Sequence, residues 1–171
     1  CHIPNLNDLI EAVDLLLKKD GLFIFEEPYF GAMIDKTSYD QIYDEHIFMF
    51  SVSSVLKIFK LFDFEIVDAI PQITHGGSMR YIIKRKNISK PSKTLNLLIE
   101  KEKKQKLDSL ESCLSFKKKC ELSKKKIVEK LTKLKSEGNK IAGYAATSKS
   151  TTVLNYCKID SSMIDYICDT T

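Results

Sequence analysis

No apolar run in the sequence is long enough to cross a membrane, and no familiar nucleotide-binding loop is present. A membrane-spanning helix needs about 20 consecutive apolar residues, and every apolar stretch here is much shorter. Two glycine-rich phosphate loops, GxxxxGK followed by Ser or Thr and GxGxxG, do not occur. The sequence therefore predicts a protein without a membrane partner, and this chain contains neither of these two loops.

Closely spaced cysteine pairs are also lacking. Zinc sites usually draw on such pairs of Cys or His, so we predict no metal site in this chain. An odd number of cysteines without a CxxC pair favours free thiols in a reducing cytoplasm over disulfides, and a cytoplasmic location is the expectation. The five cysteines are Cys1, Cys113, Cys120, Cys157 and Cys168.

Aromatic residues are scarce where the lysines are concentrated, although the net charge is +4. Phe116 is the one aromatic residue between positions 101 and 140, whereas proteins that bind single-stranded nucleic acid stack bases on several aromatic rings. The lysines are therefore interpreted as a solvated helix face, and no nucleic-acid partner is expected. A basic module that binds nucleic acid or another anion stays open as an alternative.

The amino-terminal third shows a helix followed by a strand. Apolar residues recur every three or four positions over 6–17, which predicts an amphipathic helix that Asn5 or Asn7 caps and Gly21 ends. The next segment, LFIF at 22–25, is continuously apolar, which is typical of a strand covered on both faces in a parallel sheet. Together they predict half of an α/β unit.

Further elements follow the same logic. Ser51 or Ser53 is predicted to cap a helix that faces the core through its apolar residues. FEIVDAI (64–70) and MRYIIKR (79–85) are predicted to pair as antiparallel strands. Residues 92–136 are predicted to form two lysine-rich helices, with Leu107, Leu110 and Leu114 as one packing stripe and Ile127, Leu131 and Leu134 as another.

The carboxy-terminal segment is a second α/β beginning. IAGYAA (141–146) is predicted as a buried strand, TSKS (147–150) as a turn of phosphate size, STTVLNYC as a short helix and MIDYICD (163–169) as the next strand. The N–H groups and dipole at such a helix start favour an anion. Lys149 would add a full positive charge to this predicted anion site.

The segment 31–50 shows neither helical nor strand periodicity, and loops of this length are usually functional. It contains Tyr43, Glu45 and His46. A carboxylate beside an imidazole can fix its tautomer, and a phenol can stabilise an oxyanion, so these are parts for removing a proton next to a carbonyl. A purely structural, hydrogen-bonding His46 stays open, because Glu45 and His46 point different ways in an extended segment.

The other two histidines have separate contexts. His2 precedes the first helix and is a candidate for the same strand end as His46. His75 lies in HGGS, where two glycines can supply positive φ and the histidine can serve ordinary turn chemistry.

Five segments follow one another along the chain, namely CHIPNL, GLFIFEEPY, TSYDQIYDEHIFMFS, THGGSMRY and GYAATSKSTTVLNYCKI. Their order resembles the sugar C-methyltransferase family, and the last of them resembles that family's carboxy-terminal domain. The resemblance covers nearly the whole chain and is weakest in the lysine-rich helices. At Ala145 the sequence departs from the family, which commonly has Gly there.

This resemblance implies an α/β architecture in two parts. Residues 1–90 would be the second half of a class I, Rossmann-like methyltransferase domain. Residues 91–171 would be a helical segment and the start of a second Rossmann-like domain. The sequence begins without Met, and we expect an internal fragment; the family's zinc-binding part and glycine-rich cofactor loop are expected in the remainder of the protein.

The resemblance also implies roles for particular residues. S-adenosylmethionine would methylate a carbon of a nucleotide-linked deoxy-keto-sugar after His46 removes the α-proton, with Tyr43, Glu45 and His2 assisting. A methyltransferase with an oxygen or nitrogen acceptor is the alternative. The residues that would contact the substrate's phosphates or adjoining groups are Lys149, Ser150, Asn155 and His75.

Overall fold

Six α-helices and two small β-sheets make up residues 1–170, the part of the chain that the computed structural model describes. This arrangement confirms the mixed α/β class. No helix in that part is both long enough and apolar enough to span a membrane. The helices are α1 (Leu6–Leu16), α2 (Phe30–Lys36), α3 (Val52–Lys60), α4 (Lys93–Gln105), α5 (Leu110–Ser136) and α6 (Ser148–Cys157). The strands are β1 (Phe23–Pro28), β2 (Phe64–Gln72), β3 (Ser78–Arg85), β4 (Ala142–Tyr144) and β5 (Tyr166–Cys168).

The first sheet has the order β1-β3-β2, and both pairings are antiparallel. The predicted β2–β3 hairpin is confirmed. The prediction of a parallel sheet with a doubly covered LFIF strand is wrong for residues 1–170. Phe23 and Phe25 pack toward the core while Leu22 and Ile24 are half exposed. Alternate side chains of this strand therefore face the core and the solvent, as in any strand. The sequence does not show this alternation, because all four residues of LFIF are apolar.

Helix α1 begins as predicted and ends early. The side chain of Asn5 accepts hydrogen bonds from two amides of the first turn. Leu17 is already extended, so Gly21 does not end the helix, and Leu16 is 84% exposed rather than part of the core face. Ile10 is the fully buried residue of α1, and it packs with the apolar sides of the first sheet and α3.

Helix α3 and the segment before it agree in part with the prediction. Ser51 caps α3 in a reciprocal capping box with Ser54, as the sequence predicts for Ser51. Within the segment 31–50, however, the structure forms α2 and a 3-10 turn, Tyr39–Gln41, which the sequence did not indicate. Seven residues are too few to show a clear helical period. Residues 42–49 remain irregular.

The two lysine-rich helices are confirmed, but one predicted stripe is wrong. Leu107 lies in the break between α4 and α5 and is buried, whereas Leu110 and Leu114 are exposed. The break changes the helical phase, so the three leucines do not share one face. Phe116 and Cys120 of α5 instead pack against α2, and Leu95 of α4 packs into the core beside the first sheet.

The second sheet is a parallel pair of β4 and β5 joined through α6. Both strands are confirmed, but the prediction of a buried strand is wrong because Ala142 and Tyr144 are exposed. The predicted TSKS turn is in fact the helix start: Thr147 is the N-cap, and α6 begins at Ser148. Ala145 adopts φ +76°, a left-handed conformation that suits glycine better than alanine.

Candidate functional site

A cavity of about 400 Å³ opens where β1 ends, beside the irregular segment that carries Tyr43 and His46. It brings together four of the histidine and tyrosine side chains that the sequence singled out, although they come from three separate parts of the chain. Two glutamates at the end of β1 complete the polar wall. The lining side chains used below are Cys1, His2, Glu27, Tyr43, His46 and His75.

His46 is held in one tautomer by its hydrogen bonds. Its Nδ1 lies 2.8 Å from the carbonyl oxygen of Gln41, and a carbonyl only accepts, so Nδ1 carries the proton. The neutral ring then has its lone pair on Nε2, which lies 2.7 Å from the hydroxyl oxygen of Tyr43. The Tyr43 hydroxyl therefore donates to Nε2, and both residues line the cavity.

The surroundings keep both groups in the protonation states that base chemistry needs. Partial burial is the largest influence on His46 and lowers the pKa of its imidazole from the ordinary value of 6.5, so the ring is neutral at neutral pH. Burial, followed by the negative charge of Glu45, raises the pKa of Tyr43 and keeps its phenol protonated. Glu45 is exposed and has no hydrogen bond within residues 1–170, so its effect in the site is the electrostatic one on Tyr43.

His2 and Cys1 lie beside His46 in the cavity wall. The ring centroids of His2 and His46 are 5.2 Å apart, tilted by 36°. The amino nitrogen of Cys1 lies 2.5 Å from a carboxylate oxygen of Glu27, and its carbonyl accepts from the amide of Ile47. These contacts fasten the segment before α1 to both β1 and the His46 segment.

His75 lies at the rim of the cavity, in a turn of unusual backbone. Its φ is +50°, and Gly76 and Gly77 follow with φ of +79° and +142°, so both glycines do supply positive φ as the sequence indicates. A side chain at Gly77 would meet the Cβ of Ala32 at 2.5 Å. The turn therefore packs tightly on α2, and this fixes where His75 stands.

Helix α6 brings one basic residue to this rim. The Nζ of Lys149 lies 3.5 Å from the Nδ1 of His75. The helix is docked there because Tyr156 packs on the ring of Tyr39 at 5.1 Å and Cys157 contacts the Tyr39 hydroxyl. The structure thus brings Lys149 to the cavity side, although the sequence gives no local sign of this meeting.

The remaining predicted substrate contacts lie farther away. The hydroxyl of Ser150 bonds back to the carbonyl of Thr147, within the first turn of α6. Asn155 is exposed near the other end of α6, about 10 Å along the axis from Ser148. Neither residue lines the cavity. Their predicted roles stay predictions.

A family model described as the C-methyltransferase C-terminal domain matches residues 73–171, more than half of the sequence. The chain belongs to the C-methyltransferase family. It is also similar to the C-methyltransferase NovU of Streptomyces niveus, with 26% identity over 171 residues that cover 99% of this chain and 41% of that relative. The chain thus spans about two fifths of the length of the curated relative it matches.

Two residues of this C-methyltransferase chain join the site although the sequence did not indicate them. Glu27 contributes a carboxylate that acts directly on His46, which Glu45 does not. Gln41 is 4% exposed and links two parts of the site: its backbone carbonyl holds His46, and its Nε2 donates to the carbonyl of His75 at 2.6 Å. The one available signal was the position of Glu27 at the carboxyl end of β1, where α/β proteins place ligands.

We expect Gln41→Leu to lower the pKa of His46 although His46 itself is unchanged. The variant leaves the His75 carbonyl without its donor, which costs about 1 kcal/mol of the free energy of unfolding, and it loosens the Gln41 carbonyl. Because that carbonyl raises the pKa of His46, the pKa should fall further. NMR titration of the imidazole measures it. Gln72→Leu, which loses a longer, exposed 3.3 Å contact, is the control; an identical His46 titration in both variants would contradict the link.

Proposed function

We propose that the protein carrying this chain is an S-adenosylmethionine-dependent C-methyltransferase acting on a nucleotide-linked deoxy-keto-sugar, with His46 as the base. The observation that carries this proposal is the fixed tautomer of His46, which leaves Nε2 unprotonated in a residue that lines the cavity. Membership of the C-methyltransferase family and the similarity to the C-methyltransferase NovU support methyl transfer to carbon.

The chemistry of the base follows from its contacts. Nε2 takes the proton from the carbon next to the keto group, and the carbonyl of Gln41 stabilises the imidazolium that forms, since it accepts from Nδ1–H in both states. The Tyr43 hydroxyl must leave Nε2 when the substrate carbon approaches. Once free, that hydroxyl can donate to the enolate oxygen, where negative charge develops.

The residues present fit only part of the methyl donor. When bound, S-adenosylmethionine supplies an electrophilic methyl group on a sulfonium cation. The carboxylate of Glu27 at the cavity wall has the sign of charge that suits this cation. Residues 1–170 contain no glycine-rich loop of the GxGxxG kind for its nucleoside. We therefore assign this chain the acceptor side of the reaction, namely the base, its hydrogen-bond partners and the substrate rim.

Two Rossmann-like parts are the architecture that we propose with this function. The order β1-β3-β2, with β1 at an edge within residues 1–170, fits the closing strands of a larger sheet that continues beyond β1. The parallel unit β4-α6-β5 fits the opening of a second such fold. We place the boundary near residue 90, although α4 still packs on the first sheet through Leu95.

Lys149 is proposed to bind the anionic part of the substrate. It stands at the first turn of α6, where free N–H groups also favour negative charge. We expect Lys149→Gln to raise KM for the nucleotide-linked sugar roughly 10-fold with little change in kcat, because one charge-assisted contact contributes about 1.5 kcal/mol or more. Lys140→Gln is the matched control, because Lys140 is an exposed lysine that lies just before β4 and outside α6. Equal KM values for the two variants would refute the assignment.

The pH dependence of the reaction follows from the lowered pKa of His46. A base must be neutral, so kcat/KM is expected to be constant around neutral pH and to fall as the pH drops below 6.5 through the pKa of His46. The acidic limb should disappear when His46 is replaced. If kcat/KM instead begins to fall above pH 7 as the pH is lowered, a different group is the base.

Solvent hydrogen exchange tests the proposed function directly. The intact protein is incubated in deuterated buffer with the keto-sugar nucleotide, with and without the methyl donor, and mass spectrometry follows deuterium at the carbon next to the ketone. We expect deuterium to enter in at least one condition, because proton removal precedes methyl transfer. No deuterium under either condition, together with methylation of an oxygen or nitrogen, would establish the alternative acceptor chemistry.

A further inference from the structure

Three soft metal ligands converge at one side of the cavity. The ligand atoms of Cys1, His2 and His46 all lie within 4.8 Å of one another. Thiolate and imidazole are the donors that Zn²⁺ prefers over harder cations such as Mg²⁺. Cys1 and His2 come from the segment before α1, whereas His46 comes from the irregular segment after α2, so the fold itself creates this cluster.

The two imidazoles already have the spacing that one tetrahedral zinc ion imposes. With Zn–N bonds of about 2 Å at the tetrahedral angle, the centroids of two rings bound to one ion lie roughly 5 Å apart. The observed separation between His2 and His46 is 5.2 Å. The side chain of Cys1 is only 7% exposed, which limits where its thiol can turn and keeps it near the two rings.

His46 is also oriented as metal-bound histidines usually are. Such a ring donates its other N–H to a carbonyl or a carboxylate, which fixes the tautomer and directs the free nitrogen at the ion. The Gln41 carbonyl does this for Nδ1, so Nε2 is the free ligand once the Tyr43 hydroxyl moves away. The carboxylate of Glu27 on the same wall adds negative charge that favours a cation.

We propose that Cys1, His2 and His46 form a reversible Zn²⁺ site that switches the protein off. Three protein ligands leave the fourth coordination position to water, fewer than the four protein ligands of a structural zinc site. The ion occupies the same Nε2 lone pair that proton removal requires, so metal binding and base catalysis exclude each other. The inhibitory consequence rests on the proposed function, whereas the binding itself does not.

A zinc titration of the intact protein tests the site, with any zinc held elsewhere left in place. We expect the wild type to bind one Zn²⁺ more than Cys1→Ser or His46→Gln, with at least about a 100-fold weaker affinity in each variant. Cys1→Ser changes only the side-chain sulfur, so its loss of binding reports on the thiol. Cys113→Ser, which changes an exposed thiol on α5, is the matched control and should bind like the wild type.

Two further measurements make the outcome unambiguous. With Co²⁺ in place of Zn²⁺, the wild type and Cys113→Ser should show a thiolate-to-metal charge-transfer band that Cys1→Ser lacks. Circular dichroism establishes that each variant is folded. Equal metal binding by wild type and Cys1→Ser would overturn the site. If zinc binds at these residues but deuterium exchange never occurs, the site stands and the proposed function fails.

Discussion

His46→Ala is expected to lower kcat/KM for carbon methylation by roughly 10²–10⁴-fold, the range that a positioned general base contributes. The effect should fall mainly on kcat, because Nε2 acts on the proton in transit and does not carry the substrate's binding energy. Deuterium entry into the keto-sugar should fall in parallel. Rates measured with saturating methyl donor, and isotope content read by mass spectrometry, give both quantities.

The control for His46 is Asp44→Asn, two residues away in the same irregular segment. Asp44 is exposed and has no hydrogen bond or ion pair within residues 1–170. Its replacement should leave the rate within about twofold, since surface changes away from a site have small effects. If His46→Ala keeps more than a tenth of the rate, proton removal from carbon by this imidazole is refuted, whatever the family of the protein.

The sequence predicted that Tyr43 and His46 belong to one candidate site, and the structure brings them together because their geometry is local. Tyr43 and His46 are three residues apart, and the turn in which the His46 amide bonds to the Tyr43 carbonyl at 2.9 Å brings their side chains together. Glu45 lies between them in the chain but not in space. Its neighbour position therefore suggested a contact with His46 that the turn does not make.

The other parts of the site depend on tertiary packing, which a local pattern does not encode. Lys149 reaches His75 only because α6 docks on Tyr39, more than a hundred residues earlier. Gln41 and Glu27 gain their roles from what the fold places beside them. Likewise, the LFIF segment was predicted as a strand, but its partner and the direction of pairing depend on where β3 inserts.

Glu102 is the clearest example of a residue that composition conceals, and it carries the second large expected effect. It lies in the lysine-rich helix α4, yet it is 2% exposed. One carboxylate oxygen accepts from the Tyr29 hydroxyl at 3.0 Å and the Val52 amide at 2.7 Å. The other oxygen accepts from the amide and hydroxyl of Ser53 at 2.8 and 2.5 Å.

These four donors explain why a charge is tolerated in the interior. The first amides of a helix have no partner within it, and the N-terminus attracts negative charge. Glu102 satisfies two such amides of α3. Through Tyr29 it also fixes the place where the Phe30 amide bonds to the Phe50 carbonyl, at the end of the segment that carries His46. The Glu102 carboxylate thus connects α4 to the start of α3 and to the end of the segment that carries His46.

We expect Glu102→Gln to lower the free energy of unfolding by about 3 kcal/mol, because an amide NH₂ would face donors only and the charge-assisted bonds would be lost. For a chain of this size that corresponds to a fall in Tm of roughly 6–12 °C. Amide hydrogen exchange at Val52 and Ser53 should accelerate most, since their acceptor is the group removed. Exchange rates by NMR and thermal unfolding measure the two effects.

Glu100→Gln separates this mechanism from a general effect of charge on α4. The Glu100 carboxylate is exposed and, among residues 1–170, pairs only with Lys103 at 3.1 Å, so its replacement should change the free energy of unfolding by less than about 0.5 kcal/mol. Equal losses in both variants would mean that the net charge of the helix matters and the buried contacts do not. A loss confined to Glu102→Gln would show that a single carboxylate from the lysine-rich segment holds α3, and with it the approach to His46, in place.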